Sequence, residues 1–331
     1  MYQGKINNLD LELVKKLMDN KESYDIEIIE LSSGATVIDC TKASRIGGKI
    51  VSEICMGGLG SIEFSSYDLN GHNLDAVDVN TSEPIISCMA SQLAGWSVKL
   101  KKEVEKEGKI KKKVVFQSLG SGPARAKAKV EKLFEEIDYN DNSECAVIVF
   151  ETRKIPNEEV MAIVAEKCNV DASKTYAVCA PTACLTGSIQ VSARVVETGI
   201  HKLHELHFPL EVIQDGKGTA PIAPIAKDDF AAMGLTNDSI IAAGTTFYNI
   251  NVEIEKEDEL FELIKAAPAN QSSSYGKPFN EIFKEANYDF YKIDPGLFAP
   301  AIYNVKNVKT GKTISVGEKN HKLLKQSYGF S

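Results

Sequence analysis

The sequence predicts an α+β fold in which mixed β-sheets pack against helices. Strand-like and helix-like segments alternate irregularly along the 331 residues, and several neighbouring strands have connections of hairpin length. The length and the apolar fraction of 43% are those of a globular protein of about two domains. A faint repeat, SQLAGWSVKL (91–100) and ACLTGSIQVS (183–192), favours two similar halves.

The first part of the chain carries a helical pattern followed by strand patterns. Leucines at helical spacing predict a helix over 8–20. The alternating run 24–31, a Ser-Ser-Gly turn and the run 35–40 predict a β-hairpin in which Gly34 supplies the turn. A further alternating run predicts a strand over 61–69.

Two segments of different character follow these strands. Pro84 predicts the start of a helix over 84–96. Residues 101–113 are charged almost throughout and predict an exposed insertion, formed as a helix, a hairpin or a flexible segment. Its lysines could bind a polyanion, but Glu103, Glu105 and Glu107 dilute the basic charge and disfavour that role.

The second half contains the most apolar strand patterns. Continuous apolar runs predict buried strands over 146–151 and 175–181. The remaining patterns predict helices over 156–169, 257–267 and 279–287 and a strand over 243–254. Pro221 and Pro224 indicate irregular structure before that last strand.

Residues 187–206 predict one helix that is packed on most sides. Its apolar side chains form a wide face and a second patch on a helical wheel: Ile189, Ala193, Val196, Ile200 and Leu203, then Val191, Val195 and Leu206. The polar stripe is narrow: Gln190, Arg194, Glu197, His201 and His204. A surface helix usually has a wide polar face, so this stripe is predicted to face a cleft, an interface or a thin strip of solvent. Thr186 or Ser188 is the predicted cap, and Gly187 allows close approach.

Arg194 and Glu197 are the candidate catalytic pair on that stripe. Their spacing alone favours a solvated ion pair, which contributes about 0.2–0.5 kcal/mol. The functional alternative is a carboxylate base oriented by a guanidinium. His201, His204 and His207 are three residues apart, and a metal site is disfavoured because helical metal sites more often use i,i+4 spacing.

The segment GSGPARA (120–126) is a candidate anion cradle. Its glycines could aim backbone N–H groups at an anion beside Arg125, although a tight turn is the favoured alternative. The P-loop pattern GxxxxGK[ST] does not occur.

Charge and cysteine content exclude several classes of protein. A net charge of −8 argues against nucleic acid or anionic membrane as the main partner. No apolar run approaches the roughly 20 residues of a membrane span, and the N-terminal residues do not form a targeting segment. The seven cysteines form no CxxC pair and predict reduced, mostly buried thiols without a metal. The expected location is the cytoplasm.

Several motifs occur together in one order along nearly the whole chain. They are VIDC (37–40), CMGGLG (55–60), CMASQLAGW (88–96), GSGPARA (120–126), APTACLTGSIQVSARVVET (180–198), AMGLTND (232–238) and YGKPFNEIFKEANYDFYKIDPGLFAPA (275–301). As a set they resemble the methenyltetrahydromethanopterin cyclohydrolase family of archaeal one-carbon metabolism. One departure is Leu93, where some relatives have a lysine.

The resemblance implies reversible hydrolysis of the cyclic amidinium of N5,N10-methenyltetrahydromethanopterin to the N5-formyl compound. It implies no metal or redox cofactor, a small-molecule pterin substrate, and a homotrimer of chains with two similar domains around a pocket. The alternatives are a cyclohydrolase of a folate-type or other cationic heterocycle, and a non-catalytic pterin-binding protein. The predicted domains are residues 1–100 with 270–331, and residues 114–269, separated by the insertion 101–113.

The resemblance also implies roles for individual residues. Glu197 is the general base for the attacking water, and Arg194 orients that carboxylate and keeps it charged. Ser121, Gly122, Arg125 and Ser327 are implied to bind substrate. We expect only the Arg194–Glu197 turn of the polar stripe to face the pocket, with His201 and His204 behind the pocket lining or on the surface.

Overall fold

The computed structural model describes residues 2–106, 109–289 and 292–330. Its α-helices are α1 (Ile6–Asp19), α2 (Lys21–Tyr24), α3 (Arg45–Cys55), α4 (Ala124–Ala128), α5 (Glu158–Cys168), α6 (Leu185–Ser192), α7 (Val195–Glu205), α8 (Asp229–Ala243), α9 (Ile254–Lys265), α10 (Phe279–Glu285) and α11 (His321–Tyr328), and a π-helix spans Ile85–Gln92. Its strands are β1 (Glu27–Glu30), β2 (Thr36–Asp39), β3 (Gly60–Leu69), β4 (His72–Thr81), β5 (Trp96–Lys106), β6 (Lys109–Ser121), β7 (Ala146–Phe150), β8 (Thr175–Cys179), β9 (Ile213–Pro221), β10 (Thr245–Ile250), β11 (Ile302–Asn307) and β12 (Thr313–Gly317).

The strands form two mixed sheets of six strands each. Sheet A has the order β1-β2-β8-β7-β6-β5 and sheet B the order β12-β11-β10-β9-β4-β3. In sheet A, β2, β8 and β7 pair in parallel, and antiparallel pairs extend both edges. Among the described strands of sheet B, only β10 and β11 pair in parallel. The predicted α+β class with mixed sheets is therefore confirmed.

Sheet A is covered by helices on both faces, as expected for its apolar central strands. Side chains of β7 alternate between the faces, as those of any strand do. Ala146, Ile148 and Phe150 face α5, whereas Val147 and Val149 face α1 and α3. This arrangement explains why 146–150 is apolar without interruption.

Sheet B forms the larger core with α7. The five side chains of the predicted wide face lie in one buried cluster with strand residues that include Tyr248: Ile189, Ala193, Val196, Ile200 and Leu203. The predicted wide apolar face of this segment is therefore confirmed. Across the described ranges, no helix is both long and apolar enough to cross a membrane.

Most of the predicted elements are present. The helix over 8–20 is α1, and the hairpin of 24–40 is β1–β2, with Gly34 at φ +84° in its turn. The predicted helix over 84–96 is wrong in its extent and type. The chain forms a π-helix only to Gln92, and Trp96 already begins β5.

The charged segment 101–113 is the outer part of a long hairpin. Strands β5 and β6 pair from Trp96 with Gly120 out to Lys106 with Lys109, with a bulge after Leu100. The hairpin alternative is therefore confirmed, and Glu107 and Gly108 lie outside the described residues.

The predicted domain boundaries stay a prediction, but neither sheet follows them. Sheet A joins β1 and β2 to strands beyond residue 114, and sheet B joins β3 and β4 to strands beyond residue 213. The two segments of the faint repeat also differ in structure. Residues 91–100 end the π-helix and begin β5, whereas 183–192 lead into α6 and form it.

Candidate functional site

A cleft of about 530 Å³ opens where the end of β7 meets α7 and α8. Four other surface cavities are smaller, at about 300 to 400 Å³. The polar side chains that line the cleft are those of Glu151, Thr182, Arg194, Glu197, Thr198, His201, Asp229, Thr236 and Asn237. Its apolar side chains are those of Leu93, Leu119, Val191, Phe230, Met233, Ile240 and Phe298. The cleft therefore combines several charged side chains with an apolar surface, as small-molecule sites usually do.

The segment predicted as one helix over 187–206 is two helices, α6 and α7, and the prediction of one helix is wrong. Ala193 and Arg194 lie between them, and Arg194 (φ −81°, ψ 3°) caps the start of α7. The Nε2 of Gln92 donates to the Ala193 carbonyl at 3.2 Å, which gives the carbonyl at the break a partner. The break places Arg194 and Glu197 at the first turn of α7.

The start of α6 also differs from the predicted cap. The Cys184 Sγ accepts from the Gly187 N–H at 3.3 Å, whereas the Thr186 hydroxyl donates to the Cys40 carbonyl. The prediction of Thr186 or Ser188 as cap is therefore wrong, because the helix begins at Leu185 and includes both residues.

The Arg194 guanidinium is bound on three sides. Its Nε donates to Glu197 Oε2 at 3.0 Å, its Nη1 to Glu151 Oε1 at 2.9 Å and its Nη2 to the Gln92 carbonyl at 2.9 Å. A planar guanidinium with all three nitrogens engaged has little rotational freedom. Arg194 therefore fixes Glu197 in one orientation toward the cleft.

Glu197 is almost fully buried, with 3% of its surface exposed. Burial opposes the charged form of Arg194, but the carboxylates of Glu197 and Glu151 outweigh it and raise the pKa of the guanidinium. The solvated surface pair that spacing alone favoured is therefore excluded by the burial of both side chains. The arrangement can hold a carboxylate beside a bound ligand as a base.

Two tyrosines hold α7 in place from sheet B. The Tyr248 hydroxyl donates to the Val196 carbonyl at 2.8 Å, and the Tyr303 hydroxyl donates to the Gly199 carbonyl at 3.3 Å. Gly199 is required here, because a Cβ on it would lie 2.1 Å from the Tyr248 hydroxyl oxygen. These contacts fix the helix turn that carries Glu197.

The polar stripe faces three different surroundings. Arg194, Glu197 and His201 line the cleft, so the prediction that His201 lies outside it is wrong. His204 lines a separate cavity of about 300 Å³ and pairs with Glu136 at 2.7 Å. Gln190 is buried near the Cys55 thiol. His201 reaches the cleft because it lies one helical turn after Glu197.

The glycine-rich segment forms a tight turn after β6. Gly122 adopts φ +91° and its N–H donates to the Ser91 carbonyl. The Ser121 hydroxyl is buried and donates to the Cys55 sulfur at 3.6 Å. Neither residue is among the described residues that line the cleft.

Arg125 and Ser327 also have partners inside the protein. The fully buried Arg125 guanidinium pairs with Glu131 and donates to two main-chain carbonyls. The Ser327 hydroxyl donates to Asp238 Oδ2 at 2.6 Å. The substrate-binding roles of Ser121, Gly122, Arg125 and Ser327 stay predictions, and this arrangement does not favour them.

Two groups around Arg194 are not predicted by the sequence. Glu151 follows β7 and binds Arg194, and the Gln92 main chain ends the π-helix beside it. The position of Glu151 directly after a buried strand is the signal that could have indicated it, since polar residues at strand ends often form sites. Gln92 acts through a carbonyl, for which its side-chain type gives no signal.

The seven cysteines are buried and unpaired, as predicted. Burial raises the pKa of the Cys55 thiol to about 12 and that of Cys88 well above its ordinary value. Both thiols next to the site are therefore neutral at physiological pH. Within the described parts of the chain, no three His, Cys, Asp or Glu side chains are arranged to hold a metal ion.

Comparison with known sequences shows the family of the chain. The family described as Cyclohydrolase (MCH) matches residues 5–328. The chain is 44% identical over 333 residues to the methenyltetrahydromethanopterin cyclohydrolase of Methanocaldococcus jannaschii, 43% over 332 to that of Methanococcus aeolicus and 40% over 328 to that of Methanosarcina barkeri, with 98% of each chain covered.

The fold is α+β, and the matches define its class as that of a hydrolase. More specifically, the chain belongs to the MCH cyclohydrolase family. The resemblance that the motifs carry is thereby confirmed.

Proposed function

We propose that the chain hydrolyses N5,N10-methenyltetrahydromethanopterin to N5-formyltetrahydromethanopterin, reversibly, in archaeal one-carbon metabolism. The observation that carries the proposal is the buried Arg194–Glu197 pair facing a cleft in a chain of this family. The relatives named for this activity match it over 98% of their length. We further propose a homotrimer in the cytoplasm that needs no metal or redox cofactor.

The site supports a general-base mechanism. Water adds to the methenyl carbon, Glu197 takes one proton from it, and the electron pair of the amidinium C=N bond moves onto nitrogen. The ring then opens as the carbon–N10 bond breaks: Glu197 returns its proton to N10, and the carbinol hydroxyl releases its proton to form the formyl C=O. One proton is released overall, which balances the loss of the substrate's positive charge.

In this mechanism Arg194 positions the general base. Because the guanidinium is held by Glu151 and the Gln92 carbonyl, it fixes the Glu197 carboxylate before the substrate binds. Preorganisation of this kind lowers the barrier because the base need not be oriented during the reaction.

A Glu197→Gln replacement tests the assignment. The amide oxygen can still accept from Arg194 Nε, but a neutral amide cannot take a proton from water. We expect kcat for loss of the methenyl chromophore to fall by at least about a hundredfold while the melting temperature changes little. The exposed Glu262, paired with Lys265 on α9, gives a matched control in Glu262→Gln.

Near wild-type turnover in Glu197→Gln would remove Glu197 from the role of base. Turnover of a methenyl folate at the rate of the methanopterin substrate would favour the broader cationic-heterocycle alternative. Tight pterin binding by the wild-type protein without turnover would favour a binding protein instead.

A further inference from the structure

A second carboxylate, that of Glu151, lies at the cleft beside the proposed catalytic pair. It follows β7, and its main chain is fixed because its N–H donates to the Leu119 carbonyl and its carbonyl accepts from the Ser118 hydroxyl. The side chain lines the cleft and is 19% exposed. Its Oε1 accepts from Arg194 Nη1 at 2.9 Å.

The charges of this cluster do not cancel. One guanidinium, that of Arg194, is shared by two carboxylates, those of Glu197 and Glu151. The cluster therefore carries one net negative charge when all three groups are ionised. The neighbouring Asp229 at the cleft rim is balanced by Arg153, with which it pairs at 2.9 Å.

This net charge resolves an electrostatic difficulty of the site. Arg194 with Glu197 alone would be neutral overall and would offer a cationic heterocycle no attraction. The formyl product is neutral, so a net negative charge at the cleft distinguishes the two ligands of the reversible reaction. The cluster attracts the cationic ligand more strongly than the neutral one only where water is largely excluded. This condition is met, because the side chains of Arg194, Glu197 and Glu151 are at most 19% exposed.

We propose that Glu151 is a specificity-determining residue that makes the cleft prefer the cationic methenyl ligand over the neutral formyl ligand, in addition to positioning Arg194. The inference rests on the proposed function. Gln92 holds the same guanidinium through a neutral carbonyl, so what Glu151 adds beyond a hydrogen bond is its charge.

The test is Glu151→Gln, which keeps an acceptor oxygen for Arg194 and removes the charge. KM and kcat are measured in both directions, with Glu262→Gln as the control. In the hydrolytic direction we expect KM for the methenyl cation to rise about tenfold with kcat nearly unchanged. Because an enzyme cannot change the reaction's equilibrium constant, kcat of the reverse reaction must fall by the same factor while KM for the formyl compound stays constant.

Two further variants separate charge from fit. Glu151→Ala removes the charge with a different shape and should show the same loss of preference. Glu151→Asp keeps the charge, and its ratio of the two KM values should stay within about threefold of wild type, since a carboxylate remains near the cluster.

Equal changes of both KM values in Glu151→Gln, or no change in either, would overturn the inference. So would loss of the cation preference in Glu151→Asp. A wild-type protein without turnover would instead contradict the proposed function, so the two failures can be told apart.

Discussion

Gly187 is the residue that allows α6 to start against the preceding loop. A Cβ on this residue would lie 2.1 Å from the Pro181 carbonyl oxygen and 2.6 Å from that of Thr182. Both atoms belong to the main chain and cannot move aside as a flexible side chain can. The close approach predicted for Gly187 is therefore confirmed.

Gly187→Ala should consequently destabilise the fold. The added methyl group must displace the 181–182 backbone or the first turn of α6, and overpacking of this kind costs roughly 1–3 kcal/mol or more. The measurement is the free energy of unfolding from denaturant titration.

The neighbouring Ser188→Ala is the matched control, because the buried Ser188 hydroxyl has no hydrogen-bond partner among the residues that the structure describes. We expect it to leave stability nearly unchanged. Equal stability of Gly187→Ala and wild type would show that the 181–182 backbone can yield.

The candidate catalytic residues could be identified from sequence, but their surroundings could not. Spacing alone favours a solvated pair for Arg194 and Glu197, but the motif that contains them carries the family resemblance and marks them as candidates. Glu151 lies 43 residues from Arg194 and is brought to it by the docking of α7 near the end of β7. Such a contact depends on tertiary packing, about which local periodicity holds no information.

Helix periodicity likewise conceals the break between α6 and α7. The segment lacks a proline at the break, and Ala193 and Arg194 remain near helical angles, so the apolar face continues on both sides. At the break, the Gln92 side chain donates to the Ala193 carbonyl, a tertiary contact that local periodicity does not reveal. The same limit applies to the π-helix, whose residue pattern resembles that of a short α-helix.

Strand β9 shows a different limit. Its Gly216, Gly218 and Pro221 are depleted in strands, and the sequence indicates irregular structure near it. Tertiary packing explains the glycines. A Cβ at Gly216 or Gly218 would lie 2.8 Å from a valine methyl of α7. The strand is therefore glycine-rich because α7 lies directly upon it.

A salt bridge ties α8 to the segment after β7 at the rim of the cleft. Arg153 donates to both carboxylate oxygens of Asp229, at 2.9 and 3.1 Å, and to the Ala183 carbonyl at 3.1 Å. Asp229 begins α8 and lines the cleft. The bridge thus connects two walls of the cleft.

Arg153→Ala should change substrate binding more than stability. The pair is about half exposed, and exposed pairs contribute about 0–1 kcal/mol. Losing it also frees the Asp229 charge, but that carboxylate is about half exposed and is screened by solvent. The less well fixed start of α8 should therefore dominate, and we expect KM to rise by a few fold, with kcat and the melting temperature nearly unchanged.

Lys102→Ala is the matched control, because Lys102 forms a similarly exposed pair with Glu159 away from the cleft. An unchanged KM in Arg153→Ala would mean that α8 keeps its position without the bridge.

The proposed site depends on both sheets being folded at once. Glu151 extends from a strand of sheet A, whereas Arg194 and Glu197 lie on a helix packed against sheet B. Neither sheet alone assembles the three-sided contact around the guanidinium. Conditions that loosen the packing between the sheets should therefore reduce activity before the sheets themselves unfold.

Asp238 of α8 joins three helices and is almost completely buried. It accepts from the Phe279 N–H of α10 and from the Ser327 hydroxyl of α11. Burial raises the pKa of its carboxyl from 3.8 to about 7, and the two donors only partly oppose that rise. A carboxyl whose pKa is higher in the folded than in the unfolded chain binds its proton more tightly when folded. Its contribution to stability is therefore fully present below about pH 4 and is lost as pH rises toward 7.

Asp238→Asn should remove this pH dependence. An amide can still accept from Phe279 and donate to the Ser327 oxygen, and it never ionises. We expect similar free energies of unfolding for variant and wild type near pH 4, and a more stable variant near pH 8, by no more than about 4 kcal/mol. Carboxyls such as Glu158 and Glu159 have lowered pKa values. Their effect on the free energy of unfolding therefore lies below pH 4.5, and it is the same in the wild type and in Asp238→Asn. Parallel stability curves from pH 4 to pH 8 would show that Asp238 does not titrate in this range.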